Sequence, residues 1–364
     1  MKISQIIDEL ENYAPLPLQE NFDNSGLQIG DISAEARGVL LCLDITEEVI
    51  NEAIKKDCNL IISHHPLLFK PLKKLTGKTY VERCVIKACK NDIVIYASHT
   101  NMDNAFGGVN YHLAGKIGLQ NVRALSPKKN SLLKLITFVP EAHAETLRNA
   151  LFNAGAGQIG NYDSCSFNTS GSGTFRAGEA ARPYAGSVGE FHTESEIRIE
   201  TIVPVYKKSA ALRALLAAHP YEEPAYDFFP LENEWAQVGS GVIGELPNPE
   251  SEQSFLHKLK TLFDLQTLKH SPLTGKQIRK IALCGGSGAF LIPDAIACEA
   301  DIFITGEAKY NDYYDVENRI LLAVIGHYES EVATKEIFYN IITKKYTNFA
   351  LHFSMADTNP VNFM

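Results

Sequence analysis

Short runs of consecutive apolar residues mark the two outer parts of the chain: Val39 to Leu43, Leu60 to Ile62, Ile93 to Tyr96, Ile281 to Cys284, Ile302 to Ile304 and Leu321 to Ile325. The stretches between them carry the amphipathic spacing of helices, so these parts read as α/β units around sheets with parallel strands, flanked by helices. The middle differs. Eleven of the 25 glycines lie between Gly155 and Gly244, and Ser164 to His192 is rich in Ser, Thr and Gly. Leu132 to Val139 and Glu196 to Val205 read there as strands, and Ala142 to Asn153 and Ser209 to Ala218 as helices. That order predicts a ferredoxin-like α+β module at residues 129–245, inserted into an α/β domain formed by residues 1–128 and 246–364.

Composition narrows the function classes. A chain of 364 residues is expected to form two or three domains, and 45% hydrophobic with 21% charged residues supplies enough material for real cores. Lys plus Arg number 34 against 43 Asp plus Glu, and this net charge of −9 argues against nucleic-acid binding. Acidic residues soon after Met1, the lack of a membrane-length apolar run, and seven scattered cysteines without a Cys-x-x-Cys pair predict a cytoplasmic protein with reduced thiols.

Chemistry enters at the ends of three apolar runs. Ile61-Ile62-Ser63 leads into His64-His65-Pro66, and Ile95-Tyr96-Ala97-Ser98 into His99 with Asp103 four residues on. Val324-Ile325-Gly326 leads into His327 with Glu331 four residues on. Ligands bind at the carboxyl ends of parallel strands, so these side chains can converge at one edge. His327 and Glu331, at i and i+4, share a helix face. His64 and His65 can both face one site only if the strand breaks there, which Pro66 favours, and their adjacency suits two metals better than one. A single histidine at a strand end is usually a satisfied polar residue; three such ends, two with a nearby carboxylate, point to metal. Zinc, iron, manganese, cobalt and nickel all suit such donors. His112, His143, His192, His257, His270 and His352 stand alone and read as structural or surface residues.

These segments resemble a known family, the GTP cyclohydrolase 1 type 2 homologues, also called Nif-three-like proteins. The resemblance runs through Phe22-Asp23-Asn24-Ser25-Gly26-Leu27, with Phe22 where the family has tryptophan, and Ser63-His64-His65-Pro66. It continues through Ser98 to Asp103, Thr305-Gly306-Glu307, Gly326 to Glu331 and Asp357-Thr358-Asn359-Pro360. It implies two divalent metal ions per chain held by His64, His65, Asp103, His327 and Glu331, with Glu331 as the bridge. In that expectation His65 and Asp103 serve one ion, and His64 and His327 the other. His99 and Glu307 are expected in catalysis and Lys309 in substrate binding. His219-Pro220-Tyr221-Glu222 is similar to a signature of PII and CutA ferredoxin-like proteins, so the chain resembles the family's long form, which forms a toroidal homohexamer.

Weaker signals add little. Gly285-Gly286-Ser287-Gly288 lacks the Gly-Lys-Ser/Thr of a P-loop and reads as a tight turn. Lys70, Lys73 and Lys74 can face substrate phosphates, though a solvated loop is the commoner reason for such a run. His219 reads as part of a docking turn fixed by Pro220 and Pro224. Two functions follow: a metal-dependent hydrolase using metal-bound hydroxide, acting on a small molecule such as a nucleotide, with GTP ring opening and formate release as the family implies; or a non-enzymatic metal-binding ring whose insertion senses a small ligand or docks a partner.

Overall fold

The computed structural model describes residues 1–364. The chain divides into two compact units, one formed by Met1–Pro127 with Gln237–Met364 and the other by Lys128–Ala236. No helix is long and apolar enough to cross a membrane. All seven cysteines are free thiols.

The first unit contains two mixed sheets. One comprises β1 (Gly26–Ile29), β2 (Val39–Cys42), β3 (Leu60–Ser63), β4 (Val94–Ala97) and β15 (Leu351–Phe353) in the order β1-β4-β3-β2-β15. The other comprises β5 (Gln120–Lys128), β10 (Trp235–Ser251), β11 (Lys269–His270), β12 (Gln277–Cys284), β13 (Ile302–Thr305) and β14 (Leu321–Val324) in the order β11-β14-β13-β12-β10-β5. Within them β2, β3 and β4 run parallel, as do β12, β13 and β14. Strands β2, β3, β4, β13 and β14 are buried along their whole length, which is why they read as unbroken apolar runs. Helices cover the sheets, and two begin where Thr46 and Thr79 accept hydrogen bonds from the backbone N–H groups of Val49 and Glu82.

The second unit is an antiparallel sheet of β6 (Leu132–Pro140), β7 (Ser166–Arg176), β8 (Phe191–Pro204) and β9 (Tyr226–Pro230), ordered β7-β8-β6-β9. Helices Ala144–Asn153 and Lys208–Ala218 follow β6 and β8. Their Leu147, Leu151, Ala211 and Leu215 pack on Leu135, Val139, Ile199 and Val203 from one sheet face. On the strand residues between these lie Phe138, Arg198 and Glu196, on the opposite face.

In the first unit, Glu52 ties β15 to the helix Glu47–Lys55. Its carboxylate accepts hydrogen bonds from Ser354 Oγ at 2.7 Å and Met355 N at 3.1 Å and pairs with Lys56 at 2.7 Å. Burial opposes its ionisation, but these bonds and the Lys56 charge outweigh burial and pull its pKa down to about 2. A depressed pKa means stabilisation that is present above the ordinary carboxyl range and lost as pH falls through the folded value. Glu52→Gln is therefore expected to lower Tm at pH 7 by roughly 2–4 °C, the scale of about 1 kcal/mol in a unit of this size. In thermal melts the gap from the parent protein should close between about pH 4.5 and 2; a constant gap would contradict the assignment.

Candidate metal centre

The carboxyl ends of both parallel triplets supply the site. Beyond β2 lies Asp44, beyond β3 His64 and His65, beyond β4 His99 and Asp103, beyond β12 Gly285-Gly286, beyond β13 Glu307, and beyond β14 His327 and Glu331. Strand β3 stops at Ser63, so the chain has left regular pairing where the two adjacent histidines diverge. Their rings stand 5.0 Å apart and tilted by 49°.

Glu331 is the focus. It is 3% exposed, and its Oε2 lies 2.9 Å from His65 Nε2 and 3.0 Å from His327 Nε2, while Oε1 lies 3.7 Å from His64 Nε2. Each imidazole is fixed through its other nitrogen. His64 Nδ1 donates to the Ser98 carbonyl at 2.9 Å, His65 Nδ1 to Asp44 at 2.7 Å, and His327 Nδ1 to Glu307 at 2.9 Å. A carboxylate or carbonyl behind the ring orients the Nε2 atom, as in metal sites generally.

Two buried polar atoms, His64 Nε2 and Asp103 Oδ1, have no hydrogen-bond partner. They lie 3.6 Å apart, too far for a hydrogen bond and near the spacing expected of two donors on one cation at the ~2.1 Å of zinc–nitrogen or zinc–oxygen bonds. The donor chemistry therefore fits a metal. His65, His327 and Glu331 form one group that can hold an ion, and His64, Asp103 and Glu331 another. This grouping differs from the expected pairing of His65 with Asp103 and His64 with His327. The physical reason is direction: His64 turns toward the end of β4, and His65 toward Asp44 and the second sheet.

The charges support the fit. Burial works against ionisation of Glu331, but hydrogen bonds from His327 and His65 and the nearby His64 imidazole hold its pKa well below the ordinary value. Burial also disfavours the charged imidazoles; bonds to Asp44 and Glu331 nonetheless push His65 up to about 10, and bonds to Glu331 push His327 up to about 9. Asp103 is pushed up to about 8, first by burial and then by the Glu331 charge. A cation held by these residues would compete with their protons and favour the ionised form of Asp103.

His99 Nδ1 donates to Asp23 at 2.7 Å, and its ring stands 5.2 and 5.3 Å from those of His64 and His65. Asp23 also accepts from Thr100 and Ser25. Burial opposes its charge, yet the bond to His99 and these hydroxyls keep its pKa far below the usual value. His99, His65 and Phe69 line a cavity of about 550 Å³ with Leu265 and, from the C-terminal segment, Val361 and Phe363. That segment is tethered where Thr358 Oγ1 donates to Asp44 at 3.1 Å and Asn359 to Glu329 at 3.3 Å.

Sequence reasoning did not assign roles to Asp44 or Asp23. Asp44 stands just past a strand end, the signal that picked out the histidines. Glu307 holds His327 and accepts from Ser287 Oγ at 2.6 Å. Lys309 lies elsewhere, exposed in an adjoining cavity of about 940 Å³, with its backbone N–H on Asp312. Lys70, Lys73 and Lys74 are exposed and absent from the 550 Å³ cavity wall. The glycine loop after β12 is a turn whose N–H groups are occupied: Gly285 donates to Asn110, Gly286 to Ser330 and Gly288 to Thr305.

An α/β fold with imidazoles and carboxylates gathered at parallel strand ends defines a class of protein whose site could hold metal ions. The chain belongs to the Duf34/NIF3 (NGG1p interacting factor 3) family, whose sequence profile matches residues 1–360. It is 37% identical over 372 residues to the GTP cyclohydrolase 1 type 2 homolog of Halalkalibacterium halodurans, covering all of both chains. It is 35% identical to the protein of the same name from Bacillus subtilis, over 99% of this chain and 98% of that one. The crystal structure of a Bacillus cereus protein related to NIF3 matches with a TM-score of 0.87 and 37% identity, covering 100% of this chain and 99% of that one.

Gly286 takes φ +59°, and a Cβ there would collide with Glu331 Oε1. Gly286→Ala is expected to cost about 1–2 kcal/mol from the left-handed backbone alone and more from displacing Glu331. In urea titrations the loss should shrink when Glu331→Ala removes the clash; an equal loss in both backgrounds would exclude that contact as its source.

Proposed function

We propose that the protein is a dinuclear metal-dependent hydrolase acting on a small heterocyclic substrate, with GTP the leading candidate. The observation that carries this reading is Glu331, a buried carboxylate on which three pre-oriented imidazoles from two sheets converge. His65, His327 and Glu331 would hold one divalent ion, and His64, Asp103 and Glu331 the other. Bound there, zinc, iron, manganese, cobalt or nickel would lower the pKa of a coordinated water towards ~7.

The chain's own residues supply the rest. His99, with Nδ1 on Asp23, keeps Nε2 for moving a proton at the cavity wall. Asp44 and Glu307 hold His65 and His327 in register. Phe69, Leu265 and Phe363 give a planar ring an apolar surface and exclude water from it. The name shared by the relatives suggests GTP; hydrolysis would open the guanine imidazole ring and release C8 as formate. In this reading Lys128–Ala236 is an inserted ferredoxin-like module related to PII and CutA, and the chains assemble in the cytoplasm as a toroidal hexamer, which light scattering would detect as six times the chain mass.

The second reading is a non-enzymatic metal-binding regulator; the separate cavity of the second unit favours it. One experiment divides them. Elemental analysis of the native protein is expected to find two ions per chain, and formate release from GTP should follow loading with each metal in turn. Glu331→Ala should lose metal and formate together, whereas His99→Gln should keep its metal and lose turnover by about 10²-fold or more. Full metal content in Glu331→Ala would refute the site; no formate from any loaded form would refute GTP ring opening and leave the regulatory reading.

A further inference from the structure

The second unit contains a cavity of about 570 Å³, within the ~300–1,000 Å³ range of small-molecule sites. It lies on the sheet face not covered by helices. Its floor is backbone, because Gly171 and Gly173 of β7 sit beside Glu196 of β8, and a Cβ on Gly173 would collide with the Glu196 carboxylate. Phe175, Tyr184 and Tyr221 stand around it, with ring centroids 6.0 Å apart for Phe175 and Tyr221 and 6.1 Å for Tyr184 and Tyr221, inclined by 61° and 45°.

Glu196 is the anomaly. It is only 9% exposed, and its one partner is Tyr221, whose hydroxyl donates to Oε1 at 2.8 Å. No cation pairs with it. Arg198, the basic residue in the wall, is committed to Glu200 at 2.8 Å, and His192 to Glu194 at 2.8 Å. His219 does not compensate either. Its Nε2 donates to the Phe138 carbonyl at 2.8 Å and its Nδ1 accepts from Tyr221 N at 3.1 Å, the neutral ring, and burial lowers its pKa. Glu222 and Glu223 add negative charge to the same wall. A carboxylate that is nine-tenths buried is costly without a positive partner, and inclined aromatic faces attract cations.

We propose that this cavity binds a monocationic amine with an apolar or aromatic body, its ammonium group on Glu196 among the rings of Tyr221, Tyr184 and Phe175. The turn His219-Pro220-Tyr221 then serves the site directly, since His219 anchors the segment so that Tyr221 closes one side of the cavity. This assignment does not rest on the chemistry of the metal centre.

The test is isothermal titration calorimetry of the full chain with phenethylamine and with phenethyl alcohol, which has the same shape without the charge. The amine is expected to bind saturably and at least about ten-fold more tightly than the alcohol. Glu196→Gln should abolish that preference. Gly171→Leu should block both ligands, since a Cβ at Gly171 meets nothing within 4 Å and the added side chain would fill the cavity. The comparison of ligands needs no variant, so a variant that fails to fold does not shield the proposal. Equal affinities, a preference undiminished in Glu196→Gln, binding undiminished in folded Gly171→Leu, or no heat from the amine up to about 10 mM would each overturn it.

Discussion

A carboxylate taken out of water must be given positive charge or hydrogen-bond donors, and the first unit is arranged around meeting that demand at Glu331. The donors come from different sheets: His64 and His65 follow β3, while His327 sits one helical turn before Glu331 after β14. Neither sheet could satisfy the group alone. The close packing that brings them together explains the glycines nearby, since Gly286 and Gly306 leave room where Ser330, Glu331 and His327 meet the loops of the second sheet.

Much of this arrangement was legible in the sequence because parallel strands buried on both faces produce compact apolar runs, and the residues just past them stand out chemically. Val39–Cys42, Leu60–Ser63 and Leu321–Val324 are strands near where those runs predict them. His64, His65, Asp103, His327 and Glu331 come together in space. What the sequence could not convey is direction. Adjacent histidines look equivalent in one dimension, and only the exit of the chain from β3 decides that one faces Asp103 and the other His327. Asp44 and Asp23 were silent for a related reason, because a carboxylate behind an imidazole shows itself only once the ring's orientation is known.

Strand β7 was the hardest element to read. Ser166–Arg176 has no apolar alternation, since much of it is exposed and two of its glycines form the floor of a cavity instead of packing into a core. Composition marked the stretch as unusual, but the cause is a surface shaped by missing side chains. The two units thus treat buried carboxylates in contrasting ways. Glu331 is surrounded by imidazoles of its own chain, and Glu196 is left with one phenolic hydroxyl.

The tether between Asp44 and Thr358 joins residues 314 positions apart, and the same carboxyl group holds His65. The wall of the cavity formed by Val361 and Phe363 is therefore fastened to the candidate site's framework through Asp44 and, on the helix of Glu331, through Glu329. Changes in the last few residues can reshape the mouth of the cavity while the donor atoms stay in place. A bulky group introduced at Val361 or Phe363 would accordingly crowd the cavity without touching the histidines.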